Sequence, residues 1–200
     1  MPISAGDVKR LHEQTGAGML DCKKALEQAD GDFEEAVAIL RKSGVQVAGK
    51  RAGKSTSQGV VWSYIHAGSQ VGVLVEINCE TDFVGRTEDF RQFAEEVAMQ
   101  IAAMRPRWVS PEDVPAEVLE REKEILTEQA RAEGKPENVI EKMVEGRLRK
   151  FYEENCLLRQ PYIRDDRLTI EDLLHELVAK TGERVVIRRF VRYQVGEETE

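Results

Sequence analysis

Apolar residues first recur at helical spacing and later alternate, which divides the chain into a helical segment followed by a mixed one. Val8 and Leu11 form a stripe behind Ser4 and Asp7, a capping-box pair that predicts a helix start. After "TGAGM", Met19, Cys22, Leu26 and Ala29 carry a second helical stripe. Beyond "DGD", Asp32 is placed to cap a third helix, with Glu35 reaching back and Phe33, Val37 and Leu40 on its apolar line. The expected result is a three-helix module over residues 1–44, small enough to be marginal alone. Residues 45–58, "VQVAGKRAGKSTSQ", combine small residues with Lys50, Arg51 and Lys54 and have little periodicity, so they read as a basic flexible linker.

The remainder, residues 59–200, reads as an α+β core and dimerisation domain. "GVVWSYIH" and "VGVLVEINC", separated by "AGSQ", predict a β-hairpin whose second strand turns Val71, Val73, Val75, Ile77 and Cys79 to one face. The helix expected from about Thr87 to Met104 carries Phe90, Phe93, Ala94, Val97 and Ile101 at the spacing needed to cover that face. Two charged helical patterns divided by "EGKP" predict a helical hairpin at about residues 116–155. Thr169 and Asp172 then cap a further helix, and "RVVIRRFVRYQV" returns as a strand. Together these elements predict an antiparallel three-stranded sheet with helices packed on one face.

Composition narrows the chemistry. No apolar run is long enough to span a bilayer, and "MPISAGDVKRLHEQ" lacks the layout of a secretion signal, so no membrane is expected and a cytoplasmic location is. Cys22, Cys79 and Cys156 are far apart and have no neighbouring ligand at metal spacing, which argues against a disulfide framework or a zinc site. The net charge of −8 disfavours direct nucleic-acid binding. "GKS" at Gly53–Ser55 resembles the end of a phosphate loop, but the pattern needs glycine where Ala48 stands, and the earlier frame ends in Arg51. Arg184, Arg188, Arg189 and Arg192 interleave with Phe190 and Tyr193, as they would on a strand with one solvated charged face. His12, His66 and His175 fall in unrelated segments, and no nucleophile, base and orienting group form a set. No catalytic residue, cofactor or metal is expected, and the chain reads as a protein that acts by binding.

The junction "NCETDFVGRTEDF" resists this orderly description. Phe83 lies seven residues before Phe90, so a helix beginning near Thr81 would carry it into the core. Gly85 weakens such a turn and Thr87 is the better cap, which keeps an exposed recognition loop open as a second reading behind core packing. Glu80, Asp82, Glu88 and Asp89 offer a third reading, as metal ligands.

In order along nearly the whole chain, "TGAGMLDCKKAL", "CETDFV", "GKPENVIEKMVEGRLRK" and "LLRQPYI" resemble motifs of the bacterial elongation factor Ts family, in a short form with one core repeat. The resemblance implies a guanine nucleotide exchange factor for elongation factor Tu, engaging it in GDP-bound and nucleotide-free forms and displaced when GTP binds. It implies that the N-terminal module is ubiquitin-associated-like and contacts the GTPase domain. Thr81, Asp82, Phe83 and Val84, with Lys23, Gly182 and Gln100, fall on positions that contact the partner in that family. Phe83 would enter a crevice near the Mg²⁺ and β-phosphate site. Two positions depart from the family pattern: Thr181 precedes Gly182–Glu183 where an apolar residue is common, and Gln100 stands where relatives often carry histidine. Short members are homodimers, here expected to pair through the core sheet, and Val191 occupies a last-strand position that is cysteine in some of them.

Overall fold

The capping signals act where the sequence places them. The computed structural model describes residues 3–198. Helix α1 (Ala5–Thr15) starts with the full Ser4–Asp7 box, the Asp7 N–H donating to Ser4 Oγ at 3.1 Å. Helices α2 (Met19–Gln28) and α3 (Phe33–Arg51) follow, and the Glu35 N–H donates to Asp32 Oδ1 at 2.9 Å at the start of α3. The return bond from Glu35 does not form among the described residues, so this end has a single cap. Leu11, Cys22, Leu26 and Ala36 are buried at the centre of these three helices.

Helix α3 does not stop at Gly44. It continues to Arg51, so the first half of the segment expected to be a flexible linker, residues 45–58, is helical. Val47 and Ala48 rest against the main core, and Gly44 meets the backbone of α8 (Ile170–Thr181). A Cβ added at Gly44 would stand 2.6 Å from the His175 carbonyl oxygen. Gly44, just ahead of that segment, is thus the small residue that lets two helix backbones approach, whereas Gly49 and Gly53 within it have open space around them. Arg41 adds an ion pair across the same crossing, 3.4 Å from Glu176.

Strands β1 (Gln58–Ile65), β2 (Val71–Cys79) and β5 (Val185–Gln194) form an antiparallel sheet in the order β1-β2-β5. Val73, Val75, Ile77 and Cys79 of the central strand are buried against α5 (Glu88–Met104), led by Phe90, Ala94, Val97 and Ile101. Leu177 and Val178 of α8 complete this core. Burying each of these large side chains contributes about 1.5–3 kcal/mol, which is why the strand and helix periods have to agree in phase. A bulge opposite Glu76 and Ile77 leaves Arg188 without a ladder partner, so Ile187 lies inside and Arg189 outside.

Helices α6 (Ala116–Ala132) and α7 (Glu137–Asn155) form the helical hairpin, closed over Leu126, Ala130, Ile140, Val144 and Leu148. A short ribbon of β3 (Pro161–Tyr162) and β4 (Asp165–Thr169) was not legible, because "YIRDDR" is dominated by charge and lacks alternation. No helix among the described residues is long and apolar enough to cross a membrane. The α3–α8 crossing generates a test. Gly44→Val should destabilise the fold by about 1–3 kcal/mol, read as a lower urea midpoint at unchanged slope, because the obstacle is backbone. An unchanged midpoint would mean that the two helices are not held in this contact.

Candidate partner-binding site

Where β2 ends, the chain is gripped from across the sheet. Glu183 accepts two hydrogen bonds from Thr81, from its N–H at 3.0 Å and its hydroxyl at 2.7 Å. Glu80 returns the grip, its carboxylate accepting the Arg184 N–H at 2.7 Å. Gly182 makes this possible by capping α8 in the left-handed conformation at φ 66°, which turns the chain so that Glu183 faces Thr81. The Thr181 hydroxyl donates to the Leu177 carbonyl at 2.9 Å, so this departure from the family pattern serves the same helix end.

Thr81 held in this way caps a one-turn helix, α4 (Asp82–Gly85). The Cys79 thiol donates to the Thr81 carbonyl at 3.0 Å, and burial pushes its pKa up, keeping the proton that makes the bond. On the far side the Thr87 hydroxyl donates to the Val84 carbonyl at 2.8 Å while accepting the Phe90 N–H, so it closes α4 and opens α5 together. Gly85 is buried beside Cys79 and Gly59, and Val84 packs against the main core. Phe83 points the other way and is 78% exposed.

This geometry selects among the three readings of the junction. Phe83 is not a core residue, and the segment that carries it is a capped helical turn rather than a loop. Of the four acids, Glu80 binds Arg184 and Arg51, Asp82 lies 2.8 Å from Arg86 and Asp89 3.4 Å from Lys180, while Glu88 is exposed. Among the described residues no cluster of three metal-ligating side chains occurs. An exposed phenyl ring on a rigid base can enter an apolar crevice at little entropic cost, and the ring carries no chemistry of its own.

The remaining candidate residues are placed differently. Lys23 lies exposed on α2, 3.7 Å from Glu27, beside Met19 and Leu20, which also face solvent. With Ile3, Ala5 and Val8 they line a shallow groove on a separate unit from α4. Gln100 corrects the expectation that it contacts a partner, because it is fully buried in α5. Its amide donates to Gln160 and to the Pro161 carbonyl at 3.1 Å and accepts the Ile163 N–H at 3.0 Å, so it fastens the β3 ribbon. Sequence reasoning did not find Glu183, whose partner Thr81 is 102 residues away and leaves no local signal.

Comparison with known proteins gives a consistent result over this whole layout. The family model described as elongation factor TS matches residues 6–197. An elongation factor Ts from Moorella thermoacetica is 61% identical over 195 residues, covering 98% of this chain and 96% of its own. One from Caldanaerobacter subterraneus subsp. tengcongensis is 60% identical, covering 98% of each chain. One from Fervidobacterium nodosum is 54% identical over 197 residues, covering 98% of this chain and all of its own.

The clamp and the ring it displays should separate in a stability measurement. Phe83→Ala is expected to change unfolding free energy by less than about 0.5 kcal/mol, since the ring is solvated. Glu183→Ala should cost about 1–2 kcal/mol, because two hydrogen bonds to a charged group disappear. Urea denaturation of both variants checks the pair, and equal losses would return Phe83 to the core.

Proposed function

The chain belongs to the elongation factor Ts family, and on that footing we propose that it is the guanine nucleotide exchange factor of elongation factor Tu, acting in translation elongation by binding without covalent chemistry. The observation that carries the reading is Phe83, a large apolar side chain 78% exposed on a turn whose base is clamped by Glu80 and Glu183. Thr81, Asp82, Phe83 and Val84 form the principal contact, with Val84 acting from the core side. Lys23, with Met19 and Leu20, provides a second contact from the three-helix module, which we take to be ubiquitin-associated-like. Gly182 contributes by aiming Glu183, and Gln100 by holding the core.

In this mechanism Phe83 enters the GTPase near its Mg²⁺ and phosphate site and disturbs the groups that hold GDP. GDP leaves, and GTP binding displaces the factor. Exchange requires the factor to bind the nucleotide-free partner more tightly than the nucleotide-bound one, and linkage makes the antagonism mutual. Burying one phenylalanine contributes about 1.5–3 kcal/mol, or one to two decades in an equilibrium constant. The ring therefore supplies part of the differential and the module contact the remainder.

We also propose that two copies pair through the outer face of the sheet. Val61, Ile65, Leu74, Val191 and Tyr193 are all exposed there, an apolar surface of the kind that monomers seldom leave open. The proposed setting is the cytoplasm.

Two measurements test these readings. Release of a fluorescent GDP from elongation factor Tu should accelerate with this protein, and Phe83→Ala should reduce the acceleration by about ten- to a hundredfold. No acceleration at saturating factor would overturn the exchange reading. Light scattering should give about twice 22.6 kDa, falling to the single-chain mass when Leu74 and Tyr193 are both replaced by glutamate. A monomeric parent protein would remove the pairing.

A further inference from the structure

The segment that composition marks as a flexible linker ends in a latch. Arg51, the last residue of α3, places Nη1 3.0 Å from Glu80 Oε2 and 3.3 Å from Oε1. The same carboxylate accepts the Arg184 N–H, and Arg184 Nη1 donates to the Lys54 carbonyl at 2.6 Å. The Lys54 N–H donates back to the Arg51 carbonyl at 2.9 Å. These four contacts close a ring through Arg51, Glu80, Arg184 and Lys54, and the next residue after Glu80 is Thr81, the cap of α4. Glu80 is largely enclosed, its side chain 15% exposed against 40% for Arg51.

We propose that Arg51 is a positioning residue for nucleotide exchange, holding through Glu80 the turn that displays Phe83 and tying that turn to the helix that carries the N-terminal module. The inference rests on the exchange reading. Its physical basis is that a carboxylate with one backbone donor keeps rotational freedom, whereas a second, cationic donor that reaches both oxygens fixes its plane. Glu80 fixed in this way holds the β5 entry, from which Glu183 holds Thr81. The α3–α8 crossing at Gly44 and His175 supports the middle of the same helix, and Lys180 of α8 reaches Asp89 at 3.4 Å in the first turn of α5. The module and the Phe83 turn are thus held at a set spacing, and one partner molecule meets both contacts at once.

The test is a double-mutant cycle in the full chain, using GDP release from elongation factor Tu at subsaturating factor. Arg51→Ala should reduce stimulated release about two- to fivefold, the range of a partly exposed ion pair, with most of the activity restored in Arg51→Lys. In the Phe83→Ala background the same substitution should produce little further loss, because it acts through the ring that is missing. Arg51→Gln, which preserves the helix end, repeats the measurement at a temperature below every melting transition. Unchanged release in Arg51→Ala overturns the proposal. Equal losses in both backgrounds also overturn it, since Arg51 would then touch the partner directly or act on overall stability. Failure of the parent protein to stimulate release would instead overturn the exchange reading itself, so the two failures are distinct.

Discussion

Two carboxylates crossing between the exit of β2 and the entry of β5 hold the region on which the proposed activity depends. Glu183 reaches from the strand entry to the Thr81 N–H and hydroxyl, and Glu80 reaches from the strand exit to the Arg184 N–H. Each satisfies a main-chain donor at a point where the sheet ladder has run out, since the pairing of β2 with β5 ends at Cys79 and Val185. A buried or half-buried N–H without a partner costs about as much as a lost hydrogen bond, so the ends of strands are where a sheet tends to fray. Here the fray is prevented by side chains, and the chain leaves the sheet in a fixed direction.

That direction decides the use of the next four residues. A single helical turn has too few internal hydrogen bonds to stand alone, because nucleation fixes several dihedral angles for one bond. Helix α4 forms because its start is imposed by Thr81, its inner side by Val84 and Gly85 against the core, and its end by Thr87. With three sides fixed, Phe83 has only the outward direction left. The ordering cost that an exposed aromatic residue on a mobile loop would meet at binding is met during folding.

How much of this was legible follows from the range of each interaction. Periodicity located the helices and strands because a buried face repeats along its own element, as Phe90, Ala94, Val97 and Ile101 do. Capping boxes at Ser4 and Thr169 were legible because both partners lie within one turn. The Phe83 junction was ambiguous because its outcome is set by Glu183, a residue without a local signature whose effect is exerted across the sheet. Gln100 was misplaced because its placement rested on resemblance to a family contact position alone, and nothing local in the sequence shows that a buried amide, Gln160, faces it. The linker reading missed the helical continuation over residues 45–51, since small residues and cations do not reveal that Val47 and Ala48 find a core to rest against.

The same features explain how the side chain proposed to probe the partner is kept separate from the core. A ring that contributed to folding would couple exchange to stability, so that any opening of the partner's crevice would be opposed by the factor's own packing. Val84 and Phe83, adjacent in sequence, divide these tasks: one is half-buried against the core to hold the turn and the other is released from any role in holding it. A helical turn places neighbouring side chains about 100° apart, enough for one to face the sheet and the next to face solvent. A strand in the same place would send alternate residues to opposite faces, but its exposed edge would invite pairing with other chains. A capped turn presents one apolar side chain and no free backbone edge, which suits the proposed entry into a single crevice and departure from it.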